Sequence, residues 1–146
     1  MLKSLNVAGT RPPVYPDEAG KVLVSDGSYE ITAAQNVDEV VVALCSLPAG
    51  CIPLDFTLVV DDLDAGATLI FDGGGINSTE DHIDQIMISG SSVGQAGGVA
   101  RSTLLPMVAP AETETLFGFH VTTAGNAGTA GTIRGILTYR STEYGV

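Results

Sequence analysis

The residues best placed to do chemistry are two cysteines, Cys45 and Cys51, which close the stretch "LCSLPAGC" around a Leu-Pro-Ala-Gly turn. A thiol pair suggests a disulfide or half of a metal site. Five residues separate the two, too many for a C-x2-C knuckle, and no second pair or flanking histidine completes a zinc set. A disulfide across the turn remains open geometrically if the flanking strands run back beside each other. A reducing compartment and a chain of 146 residues, long enough for an ordinary core, remove the need for one. The reading that asks least is that both are small apolar fillers.

Other letters with chemical meaning are equally isolated. "GSSVG" (residues 90–94) spells the G-x-S-x-G of a hydrolase elbow, but that motif has meaning only on a strand-to-helix turn of a parallel sheet. A small hydrolase built on Ser92 would need His120 or His82 as base, and neither has a defined partner. "DDLDAG" and "FDGGG" bring together Asp61, Asp62, Asp64 and Asp72, which invites calcium, yet Gly66 stands where a third ligand belongs, so a solvated turn is the expectation. The triple glycine lacks the Lys-Ser/Thr of a phosphate loop, and "NST" at Asn77 is a glycosylation sequon by letters only. The four arginines, Arg11, Arg101, Arg134 and Arg140, are read as pairing with nearby carboxylates. No catalytic, cofactor or metal constellation emerges.

Composition excludes further classes. Six basic against seventeen acidic residues give a formal charge of −11, which repels a phosphate backbone. No apolar run reaches the roughly 18 residues of a membrane span, and "MLKSLNVAGTRPP" does not read as a secretory signal. Synthesis in the cytoplasm is expected. Low charge, 18 glycines and no tryptophan suit short β-strands joined by tight turns.

Those strands can be placed. Residues 1–20 read as an extended arm, because "TRPPVYPDEAG" has three prolines within five positions, each fixing φ and removing a donor. The arm is either a frayed terminus or a strap that orders against a neighbour. Residues 21–146 form one domain. In it, 21–27 and 29–34 pair as a hairpin about Asp26-Gly27-Ser28, and 39–47 is a continuous apolar strand buried on both faces. Residues 52–61 alternate, with Ile52, Leu54, Phe56, Leu58 and Val60 on one side. Residues 67–72, 100–108, 115–123 and 131–141 complete about eight strands. "STEDHIDQIMIS" (78–89) predicts a short helix, from an N-cap serine or threonine, early acids and Ile83, Ile86 and Met87 at helical spacing.

Three stretches taken in order carry a resemblance: "LPAG" followed by "CIPLDFTLVVDDLDAG", then "ISGSSVGQAGGVAR", then "VTTAGNAGTAGTIRGILTYRS". Over residues 29–141 the chain resembles the capsid cement, or decoration, proteins of tailed, especially short-tailed, bacteriophages. The resemblance implies an all-β, jelly-roll-type antiparallel sandwich, no enzymatic activity and no cofactor. It also implies self-association into a small oligomer, a dimer favoured over a trimer, and attachment to the major capsid protein on the outer face of an icosahedral shell in the virion. Eight strands with Greek-key-length connections suit that fold. The interface residues expected are Arg11, Pro13 and Tyr15 from the arm and Arg101 beside the glycine-rich loop. The alternative is a jelly-roll carbohydrate- or receptor-binding module of a phage tail or lectin type, against which the absence of tryptophan platforms counts.

Overall fold

A computed structural model describes residues 1–3 and 21–142. Among these the chain forms nine strands: β1 (Leu2–Lys3), β2 (Val22–Ile31), β3 (Val41–Leu47), β4 (Cys51–Val60), β5 (Ile70–Ile76), β6 (Ile83–Ser91), β7 (Gly98–Arg101), β8 (Thr115–Thr123) and β9 (Gly131–Ser141). They make a five-stranded sheet ordered β1-β3-β8-β5-β6 and a four-stranded sheet ordered β2-β9-β4-β7. From β2 onward every connection except β5–β6 passes from one sheet to the other, the winding of a jelly roll. All pairings are antiparallel save β1, which adds to β3 in parallel.

The core is the space between the sheets. Phe117 and Phe119 of β8 and Phe71 of β5 face Phe56 and Leu58 of β4 and Ile133, Leu137 and Tyr139 of β9, all buried. Phe56 meets Phe117 edge-on across the sandwich at 5.6 Å between ring centres. Gly135 on β9 stands opposite Leu44 and Cys45, leaving the room those side chains fill. A smaller cluster of Val41, Ala43, Ile76 and Ile83 lies on the other face of the five-stranded sheet. This explains why β3 is buried on both faces, as its unbroken apolar run predicts.

Several expectations fail for identifiable reasons. Residues 78–89 are not a helix: 77–82 are the loop of the β5–β6 hairpin and the remainder is strand β6. Asn77 holds the loop by accepting the N–H groups of Asp81 and His82 at its side-chain oxygen. The helical spacing of Ile83, Ile86 and Met87 comes from irregularities in the β5–β6 register, where extra residues replace strict alternation. Asp26-Gly27-Ser28 makes no turn, because Val22–Ile31 pairs without a break against β9, with Gly27 opposite Gly135. The triple glycine belongs to strand β5; a β-carbon on Gly74 would stand 2.0 Å from the Gln85 carbonyl oxygen. A bulge between Pro53 and Asp55 inverts the expected alternation at the start of β4, so that Cys51 and Pro53 turn inward before Phe56 and Leu58 do. Of residues 100–108 only the first two are strand, and the rest run irregularly along the side of the sandwich.

Two substitutions test this packing. Phe56→Ala removes a ring shared by both sheets and should cost about 3–5 kcal/mol in urea unfolding. Gly118→Ala should prevent cooperative folding, since its β-carbon would fall 1.9 Å from the Val42 carbonyl oxygen on the adjacent strand. A variant that melts like the wild type would refute that assignment.

Candidate interaction surface

The residues first suspected of chemistry are dispersed or used structurally. Cys45 and Cys51 are free thiols buried in the core. Burial pushes the Cys45 thiol up to about 12 and raises that of Cys51 as well. The native protein should therefore resist alkylation at mildly alkaline pH and react at both thiols only when unfolded, as read by mass spectrometry. Ser92 sits just before a 3-10 turn (Val93–Gln95) rather than on an elbow. The buried His120 lies 3.1 Å from Glu39, and His82 is held between Asp81 and Asp84 on the β5–β6 loop. Among the described residues no group of three or more His, Cys, Asp or Glu is arranged to hold a metal ion.

Asp61 and Asp62 are exposed, as a solvated turn requires, but Asp64 is not, and the aspartates also fasten the backbone. Asp64 is fully buried, and its carboxylate accepts the N–H groups of Gly66 and Thr68 at 2.9 Å, Leu69 at 3.0 Å and Ala127 at 3.1 Å. These bonds, that from Thr68 foremost, hold its carboxyl down at about 2 against an ordinary 3.8. Asp61 accepts the Thr132 N–H and Asp72 that of Gly90. Asn36 donates to the Leu63 and Thr129 carbonyls, and the Leu63 N–H bonds to Gly94. Four connections, β2–β3, β4–β5, β6–β7 and β8–β9, are thereby locked together at one pole.

The folded state binds the Asp64 proton less tightly than the unfolded chain does. The carboxylate's contribution to stability is thus complete above the ordinary carboxylate range and lost as pH falls through about 2. Asp64→Asn should be less stable at neutral pH, and its urea-unfolding curve should approach that of the wild type on acidification. A gap that stays constant in acid would contradict this role.

What remains outward is a surface. On the four-stranded sheet, β9 alternates Ile133, Leu137 and Tyr139 inward with Thr132, Arg134, Ile136, Thr138 and Arg140 outward. Register then places Val22 and Ile52 beside Arg140, Ser28 and Val59 beside Arg134, and Val99 and Arg101 in the neighbouring positions of β7. All three described arginines therefore share one face with exposed valines. Arg134 pairs with Asp26 at 3.1 Å, as the arginines were expected to do, whereas Arg101 and Arg140 form no ion pair among the described residues. Of the residues expected at an interface, Arg101 is on this face, and Arg11, Pro13 and Tyr15 lie outside the described residues. Arg140 and the valines were missed, although the period-two pattern of "TIRGILTYR" carries the signal.

At the opposite pole to Asp64, the stretch after β7 exposes Leu104, Leu105 and Val108. A cleft of about 470 Å³ lies between residues 106–112 and the β5–β6 hairpin, lined by Ile76, Met107 and Val108 with the carboxylates of Asp84 and Glu112.

No protein-family model matches the chain, and no curated protein does. Solved structures do. The chain is similar to one described as the capsid of Ralstonia phage GP4, at 30% identity and a TM-score of 0.79, covering 95% of this chain and 96% of that one. The chain belongs to a family of bacteriophage capsid-associated proteins. It is also similar to a chain of the cyanophage Pam1 capsid asymmetric unit, at 26% identity and a TM-score of 0.65, over 93% of this chain and 96% of that one. This capsid-associated protein is a virion component with a structural role. Its prominent features suit that role: a buried carboxylate, Asp64, tying loops, and an outward face mixing apolar and charged side chains.

Proposed function

We propose that this protein is a non-enzymatic cement protein: it binds the outer surface of an icosahedral phage shell through the major capsid protein, associates with its own copies, and stabilises the assembled shell. It is made in the host cytoplasm. The observation that carries the reading is the end-to-end likeness to a phage capsid chain at 30% identity. The arginine-bearing face with Arg101, together with Arg11, Pro13 and Tyr15 of the N-terminal segment, supplies the proposed contacts with the shell or with other copies. Such a protein acts by mass action, since a ligand that binds the assembled shell and not loose subunits stabilises it by about 2.7 kcal/mol per site at a hundredfold excess over Kd. Repeated over many sites, a modest affinity suffices.

Purified protein added to undecorated shells should bind in a fixed stoichiometry and raise their melting temperature in scanning calorimetry. Shells that take up no copies and melt unchanged would refute the proposal.

A further inference from the structure

We infer that two patches on opposite edges of the four-stranded sheet bind each other between copies of this chain. The first is the β2–β9 edge, where Val22 and Val24, 59% and 50% exposed, stand beside Arg140. The second is the segment after β7 with its cleft, where Leu104, Leu105 and Val108 are 50%, 54% and 88% exposed and the carboxylates of Asp84 and Glu112 line the opening. The inference rests on the self-association in the reading above and names the surfaces that perform it.

Three observations carry it. These two patches hold five of the nine large apolar side chains left exposed among the described residues, so each has apolar area to bury. Their charges are opposite: Arg140, which has no ion pair among the described residues, faces carboxylates on an apolar-lined cleft, the setting that suits a guanidinium with an aliphatic stem. Their placement forbids contact within one chain and permits it between chains. β2 is the first strand of its sheet and the segment after β7 lies past the other side, where Ala111 bonds to Gly50 and Cys51 at the start of β4. That start lies in register with Arg140 through Ile52, so both patches sit at the same pole.

An interface between unlike patches is heterologous. With the patches on opposite edges of the sheet, head-to-tail contact closes into a ring of more than two copies or propagates, whereas the two-fold dimer expected from the sequence would need both pairs of patches to meet at once. In a ring every arginine edge meets an acidic cleft, and the Asp64 pole of each copy stays clear of the contact.

Sedimentation without shells tests this. The wild type should associate; Arg140→Glu, and separately Asp84→Lys with Glu112→Lys, should each weaken association by roughly tenfold or more. Val24→Asp, an exposed change, should do the same. An equimolar mixture of the two charge-reversed proteins pairs an intact arginine edge with an intact acidic cleft and the reversed edge with the reversed cleft, opposite charges in both contacts, and should regain association. A monomeric wild type, variants that associate as the wild type does, or a mixture that stays monomeric would each overturn the inference. A monomeric wild type that still decorates shells would sink this inference and the self-association it rests on while leaving shell binding intact; a wild type that associates through these patches but leaves shells bare would sink the shell-binding reading alone.

Discussion

The buried carboxylate of Asp64 is the constraint on which one pole of the sandwich depends. A jelly roll wound from strands that pair with distant partners leaves long connections at its ends, and those connections have many N–H groups and few partners. Asp64 takes four of these donors onto two oxygens. Burying an ionised group is costly unless its lone pairs are filled, and here they are. The lowered pKa of Asp64 and the order of the loops are therefore one fact seen from two sides.

The two sheets solve different problems. In the four-stranded sheet β9 lies between two ten-residue strands, β2 and β4, and keeps clean alternation, so its outer face displays arginines and valines in ordered rows. The five-stranded sheet is irregular, with glycines where backbones crowd and register shifts along β5, β6 and β3. Those shifts put Leu44 and Cys45 both into the core and leave apolar side chains on the far face as well. Regularity makes the first sheet a display surface, whereas irregularity makes the second a packing surface.

Charge is distributed to match. The chain as a whole carries −11, yet its described arginines stand on one face, where Asp26 and Glu30 on β2 and Asp55 on β4 are the accompanying acids. Elsewhere, at the Asp64 pole and around the cleft, carboxylates dominate the described surface. A protein present in many neighbouring copies benefits from such segregation, because random contacts between acidic surfaces repel while one matched pair of patches attracts.

Much of this was legible in the sequence. Strands β8 and β9 lie at the residues that alternation marked, β3 is buried on both faces as its apolar run required, and the order of the motifs pointed to a phage capsid protein before any fold was seen. Local pattern suffices for these, because a regular strand between two partners must alternate. It failed where pairing overrode local preference. Asp26-Gly27 reads as a turn until β9 runs past it, and Ile83, Ile86 and Met87 read as a helix until bulges absorb the extra residues. Asp64 reads as solvated until a loop sixty residues away brings Ala127 to it. Composition and periodicity determined an acidic β-rich domain with inert thiols, and the resemblance carried by the motifs implied its sandwich form. Which residues became fasteners and which became surface was decided only by tertiary pairing, because both outcomes depend on partners distant along the chain.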